Sequence, residues 1–242
     1  MNYERDINDI IIMGYSREFH EDLKNREYYE HVLDCIYNFR GVYHDTFIWT
    51  KTKYFGIETL KFPTDMWLLQ EMINEIRPSL FIETGTWYGG TALYCAHLFD
   101  ALGNGKVITI DNDKKENLPV HPRIEYITGD CLSEEVIVRV KANMNGGETI
   151  VNLDSCHNKD HVLKELEVYS SFVSQKGYLI VDDTILGHPV KIEDKSGKLI
   201  FPGPMEAVME FVSKHDEFEI DKYKEKFLLT SNPNGYLKRK NA

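Results

Sequence analysis

After Pro63 the apolar residues Met66, Trp67, Leu68, Met72, Ile73 and Ile76 recur at helical spacing and stop at Pro78, which predicts a helix with Trp67 in the core. From there the pattern alternates: strand 80–83, helix 90–101, strands 107–111 and 124–128, helix 133–142, strand 149–154, helix 159–173, strand 178–182, helix 204–214. Strand and helix alternating at this pitch predict an α/β fold, a doubly wound and mostly parallel sheet covered on both faces. Near the end the rhythm breaks. Phe218–Asp221, Lys226–Ser231 and Tyr236–Arg239 read as extended, with a tight turn at Asn232-Pro233-Asn234-Gly235, so a C-terminal antiparallel hairpin closes the sheet edge. Ahead of all this, Ser16–Tyr37 predicts one or two amphipathic helices, dividing the chain into a helical N-terminal extension or cap over 1–60 and a main domain over 61–242.

The first strand-to-helix junction carries Glu83-Thr84-Gly85-Thr86-Trp87-Tyr88-Gly89-Gly90. Gly85 allows a tight turn, Gly89 and Gly90 clear side chains from the approach to the next helix at Thr91, and Glu83 places a carboxylate beside the loop. The spacing E-x-G-x-x-x-G-G departs from the dinucleotide fingerprint and resembles the first motif of S-adenosylmethionine-dependent methyltransferases. A nucleoside there needs an acid at the end of the next strand to accept its ribose hydroxyls, and Asp111 stands at that place. The third strand ends in Gly129-Asp130, where an adenine amine can be read. Glu83, Gly85, Thr86, Gly89, Gly90, Thr91, Asp111, Asp130 and Asp154 are therefore the candidate cofactor-binding residues.

A second constellation follows. One strand ends in Asp154, with His157 three residues on, and another ends in Asp182-Asp183. Ligands of a parallel sheet lie off the carboxyl ends of its strands, which brings these acids to one point. Three clustered carboxylates repel unless a cation lies between them, so Asp154, Asp182 and Asp183 are candidate ligands for Mg²⁺ or another divalent ion. The plainer reading makes Asp154 the cap of the helix at 159 and the paired acids a loop cap. His157 is the candidate catalytic base; His161 and His188 are its competitors. His157-x-x-x-His161 lacks the Glu of a zinc hydrolase motif.

The net charge of −11 disfavours nucleic acid as a partner. Four scattered cysteines give no disulfide framework or zinc knuckle, which predicts reduced, buried thiols in a cytoplasmic protein. No apolar run approaches the roughly 18 residues a membrane span needs. The aromatic-rich N-terminal region is a place for a homo-oligomer to form.

The segments Phe81-Ile82-Glu83-Thr84-Gly85, Leu153-Asp154-Ser155-Cys156-His157, Tyr178-Leu179-Ile180-Val181-Asp182-Asp183-Thr184, Pro202-Gly203-Pro204-Met205-Glu206-Ala207-Val208 and Phe227-Leu228-Leu229-Thr230-Ser231-Asn232-Pro233-Asn234-Gly235-Tyr236-Leu237 resemble the cephalosporin hydroxylase family. The resemblance spans about 45–239 and implies a Rossmann-like methyltransferase fold, S-adenosylmethionine as donor, a divalent cation, and a hydroxyl of a sugar or natural product as acceptor. In the wider set of metal-dependent O-methyltransferases a catalytic Lys follows the first metal Asp by three residues, where this chain has His157. The second metal position reads Asp-Asn there and Asp182-Asp183 here. Two rival readings share the sheet: a nicotinamide-dependent oxidoreductase, which leaves the carboxylate cluster unexplained, and a non-catalytic nucleoside-binding protein.

Overall fold

The computed structural model describes residues 34–35, 38–39, 42–43, 46–187 and 202–240; the helices predicted over Ser16–Tyr37 and the competitor His188 fall, wholly or almost wholly, outside them. A two-stranded ribbon, β1 (Lys53–Tyr54) and β2 (Ile57–Glu58), precedes helix α1 (Pro63–Ile76). Then come β3 (Leu80–Thr84), α2 (Gly90–Leu102), β4 (Lys106–Asp111), β5 (Ile124–Thr128), α3 (Glu134–Ala142), β6 (Thr149–Leu153), α4 (Lys159–Tyr169), β7 (Tyr178–Val181), α5 (Pro204–Val212), β8 (Phe218–Ile220) and β9 (Tyr236–Arg239). The seven-stranded sheet runs β5-β4-β3-β6-β7-β9-β8. Its first five strands are parallel, and β9 pairs antiparallel with both β7 and β8. The antiparallel pair at the edge sets this sheet apart from an all-parallel dinucleotide-binding sheet.

Every residue of β3, β6 and β7 is buried, as strands covered on both faces must be. The side-chain alternation divides the core in two. Leu80, Ile82, Ile108, Ile110 and Val151 pack with Val136, Val162, Leu166 and Phe211 of α3, α4 and α5. Phe81, Val107 and Ile150 pack on the other face with Leu68, Met72, Ala92 and Phe99 of α1 and α2. Local chemistry sets the ends: Ser133 caps α3 by accepting from the Val136 N–H, and Asn158 caps α4 by accepting from the Asp160 N–H. Asn158 thus takes the capping role that the plainer reading gave to Asp154.

Three expectations change. Trp67 is 60% exposed and donates through Nε1 to Glu71 at 3.2 Å, because it occupies the outward face of α1. Lys226–Ser231 is not a strand: after a 3-10 turn at Lys222–Glu225 the chain runs back along α1, with Lys226 pairing with Glu71 and the Leu229 carbonyl accepting from Thr64, and β9 pairs with β8 instead. Of the cysteines, Cys95 and Cys131 are buried, whereas Cys35 and Cys156 are exposed. Among the described residues no helix is long and apolar enough to cross a membrane.

Candidate active site

Strand order reverses between β3 and β6, so the connections that follow them leave toward opposite sides of the sheet and open a crevice at their carboxyl ends. Gly85 turns there with φ +90°, and a Cβ on it would come within 1.9 Å of the Asp154 carbonyl oxygen. Only glycine meets both conditions. Asp111 at the end of β4 binds the loop: Oδ2 accepts from the Thr86 N–H at 3.1 Å and the Trp87 N–H at 3.0 Å, and Oδ1 accepts from the Asp113 N–H at 2.9 Å. A cavity of about 150 Å³ opens beside it, lined by Gly85, Asp111, Gly129, Cys131, Ser155 and His161 among others. Asp111 keeps acceptor capacity toward that cavity, since each carboxylate oxygen has more than one lone pair.

The remaining loop candidates are placed differently from one another. A Cβ on Gly90 would stand 2.4 Å from the Glu58 carbonyl oxygen, so glycine there lets the ribbon pack against the start of α2. Thr91 is buried there, and Gly89 turns with φ +76° beneath Pro119 and Tyr126. Thr86 Oγ1 is 2.7 Å from Thr109 Oγ1, which donates at 2.7 Å to Glu83. Asp130 is exposed and accepts from the Leu132 N–H at 2.9 Å, while its neighbours Gly129 and Cys131 line the cavity.

Glu83 is buried, and burial pushes its pKa up to about 8, against the lowering effects of the Thr109 hydrogen bond and Lys61. The carboxyl therefore holds its proton more tightly in the folded than in the unfolded chain, so its contribution is full below an ordinary carboxyl value and is lost as pH rises toward about 8. Glu83→Gln, which does not titrate, is expected to gain stability over wild type across that window, on the order of 5 kcal/mol at pH 9 and near zero at pH 4. Thermal melts of both proteins at the two pH values check this; a pH-independent difference would contradict it.

Across the crevice, Asp154, His157 and Asp183 each bring a ligand atom within 4.8 Å of the others. His157 Nε2 lies 3.4 Å from Asp183 Oδ2. Asp183 is held with φ +53°, a backbone conformation that asparagine and aspartate tolerate best, and its N–H donates to Asn232 Oδ1 at 2.9 Å. Asp182 turns inward instead. Its carboxylate accepts from Lys61 Nζ, from Asn152 Nδ2 at 2.7 Å and from Asn232 Nδ2. Lys61 also donates to Asp154 at 2.9 Å, so one buried ammonium supplies part of the compensation expected of a metal. Burial opposes the Lys61 charge, but Asp154 and Asp182 outweigh it and hold its pKa well above the ordinary lysine value.

Burial raises the Asp154 pKa to about 7, with Lys61 opposing and Asp182 and Asp183 adding to the rise, and burial raises Asp183 as well. Carboxylates that resist ionising beside a single ammonium are a donor set short of positive charge. Carboxylate oxygens suit Mg²⁺ or Mn²⁺, so Asp154 and Asp183 fit a divalent cation.

Lys61, Asn152 and Asn232 escaped the sequence reading. Asn152 had a signal, a polar residue inside the apolar run Ile150–Leu153. Asn232 carries the signature of a turn residue, yet it is 1% exposed and joins Asp182 to the backbone of Asp183. Lys61 had no local signal.

The family model described as Rhamnosyl O-methyltransferase/CmcI matches residues 46–240. A rhamnosyl O-methyltransferase of Mycobacterium tuberculosis is 39% identical over 211 residues, covering 81% of this chain and 82% of that protein. One of Mycobacterium leprae is 34% identical over 208 residues, covering 82% and 87%. An apo-structure of CmcI matches with a TM-score of 0.60 at 20% identity, over 80% of this chain and 78% of that one. A CmcI structure with Mg and S-adenosylmethionine matches at 0.57 and 18%, over 78% and 77%. These structural matches establish the Rossmann-like methyltransferase fold. With the family model spanning the whole sheet and the edge pair, the chain belongs to the rhamnosyl O-methyltransferase/CmcI family.

Proposed function

We propose that this O-methyltransferase is a cytoplasmic enzyme that carries the methyl group of S-adenosylmethionine to a hydroxyl of a sugar or sugar-bearing natural product, with a divalent cation held by Asp154 and Asp183. One observation carries the reading. The segment after β6 is shared by both halves of the site: Ser155 and Cys156 line the cavity beside Gly85 and Asp111, while Asp154 and His157 face Asp183. A donor in the cavity and an acceptor at the carboxylates would meet across one turn of backbone. The mycobacterial relatives, both rhamnosyl O-methyltransferases, support a sugar hydroxyl as acceptor.

When bound, a divalent cation would supply electrostatic polarisation of the acceptor oxygen. The chain's own groups do the rest. Asp111 and the Thr86–Trp87 loop orient the ribose of the donor, and Gly85 lets the sulfonium approach the backbone at the switch point. His157 Nε2 takes the hydroxyl proton, and the Asp183 carboxylate at 3.4 Å stabilises the imidazolium that results. Asp182 positions the cluster through Lys61, Asn152 and Asn232. The N-terminal extension over 1–60 belongs to the same proposal as a cap, because its ribbon is seated on the start of α2 at Gly90.

Methyl transfer to a simple rhamnoside with Mg²⁺ present tests the reading. Activity is expected to vanish with EDTA and return with Mg²⁺, and Asp111→Ala is expected to weaken S-adenosylhomocysteine binding by about 1.5–3 kcal/mol in calorimetry. Full activity in chelator would remove the cation, and unchanged affinity in a folded Asp111→Ala would remove Asp111 from the donor site.

A further inference from the structure

We propose that Cys131, His161 and Glu165 form a second divalent-cation site, for Zn²⁺ or a similar borderline-soft ion, in the wall of the cavity and separate from the carboxylate cluster. The three residues each bring a ligand atom within 4.8 Å of the others. Cys131 Sγ lies 3.8 Å from His161 Nε2 and 3.3 Å from Glu165 Oε1, and His161 Nε2 lies 3.6 Å from Glu165 Oε2. A tetrahedral zinc with Zn–S about 2.3 Å and Zn–N or Zn–O about 2.0–2.1 Å has ligand-to-ligand edges of roughly 3.3–3.6 Å. Taken over both carboxylate oxygens of Glu165, the separations bracket these edges, with Cys131 nearest Oε1 and His161 nearest Oε2. Ser155 Oγ, 2.8 Å from Glu165 Oε1 and 3.3 Å from His161 Nε2, marks the side on which water or the hydroxyl completes the set.

A second observation points the same way. Glu165 is fully buried, yet its Oε2 accepts no hydrogen bond among the described residues, and no Lys or Arg among them pairs with it. A buried carboxylate oxygen left so is costly, and an ion at this point resolves the cost. The scaffold is built in advance: His161 and Glu165 lie one turn apart on α4, and the Tyr169 hydroxyl, also on α4, donates to the Cys131 carbonyl at 2.8 Å. An ion here ties the segment after β5 to α4. Binding releases the Cys131 thiol proton to solvent as the thiolate joins the ion. Thiolate and imidazole donors select against Mg²⁺, which distinguishes this site from the oxygen-rich one.

Cys131 and His161 also line the cavity together with Asp111. Zn²⁺ and its open corner would occupy part of the same volume of about 150 Å³, so donor affinity falls when the ion binds. This coupling rests on the donor reading of the cavity; the ion site itself does not.

The test is Co²⁺ titration of the chelator-stripped full chain with excess Mg²⁺ present. The expected result is a near-ultraviolet thiolate-to-cobalt absorption band with four-coordinate visible bands, lost in Cys131→Ser and kept in Asp154→Asn. Glu165→Gln is expected to weaken Co²⁺ binding at least about tenfold. Wild-type protein loaded with Zn²⁺ should show one sulfur neighbour at about 2.3 Å by X-ray absorption, a measurement that needs no variant. Absence of the band at saturating Co²⁺, an unchanged band in Cys131→Ser, or a zinc shell without sulfur would overturn the site. Unchanged S-adenosylhomocysteine affinity with Zn²⁺ bound would overturn the coupling alone.

Discussion

Lys61→Met is expected to cost about 3–5 kcal/mol of folding stability, the range for removing one partner from a buried ionic cluster. Lys61 is 7% exposed and bridges Asp154, 25% exposed, to Asp182, 4% exposed. Without its ammonium, two carboxylates at neighbouring strand ends face each other with Asn152 and Asn232 as the remaining donors to Asp182. Methionine retains the apolar stem of lysine and so separates lost charge from lost packing. Urea unfolding reads the loss as a lower midpoint at constant slope. Saturating Mg²⁺ should return part of it, since an ion bound only by the folded state stabilises it. A loss below about 1 kcal/mol would place Lys61 outside the electrostatic balance of the cluster.

His157→Ala is expected to lower turnover by roughly 10²–10⁴ while leaving donor affinity nearly unchanged, the range for losing a general base. His157 is half-exposed at the mouth of the crevice, with Asp183 placed to stabilise the protonated ring. His157 also offers one of three donor atoms close enough together to hold one ion, which gives a distinct alternative role. Calorimetry with Mg²⁺ separates the two: a base leaves cation affinity intact, whereas a ligand takes activity and cation affinity down together. A variant retaining more than about a third of wild-type turnover would exclude both roles.

The NPNG turn shows how a correct local reading can miss a role. Asn234 at φ +62° and the Gly235 N–H donating to the Asn232 carbonyl at 2.9 Å are ordinary turn chemistry. The turn nevertheless places the Asn232 amide between Asp182 and Asp183, a contact spanning about fifty residues that no spacing rule encodes. Lys226–Ser231 misled in the opposite direction, since its apolar residues follow a strand-like pattern but the segment runs along α1 instead of pairing within the sheet.

The sequence by itself determined the alternation of strands and helices, the glycine loop after β3, and the acids at the ends of β4, β6 and β7. Each of these depends on residues close together in the chain, through the two- and 3.6-residue periods and the turn preferences of glycine. Only the tertiary structure decided which acids act together. Register and the antiparallel edge bring Lys61, Asp154, Asp182 and Asn232 to one point, and the placing of β5 and α4 brings Cys131 to His161 and Glu165. Charge compensation and ion binding depend on distances of a few ångströms between groups far apart along the chain, and sheet order fixes those distances where local pattern cannot.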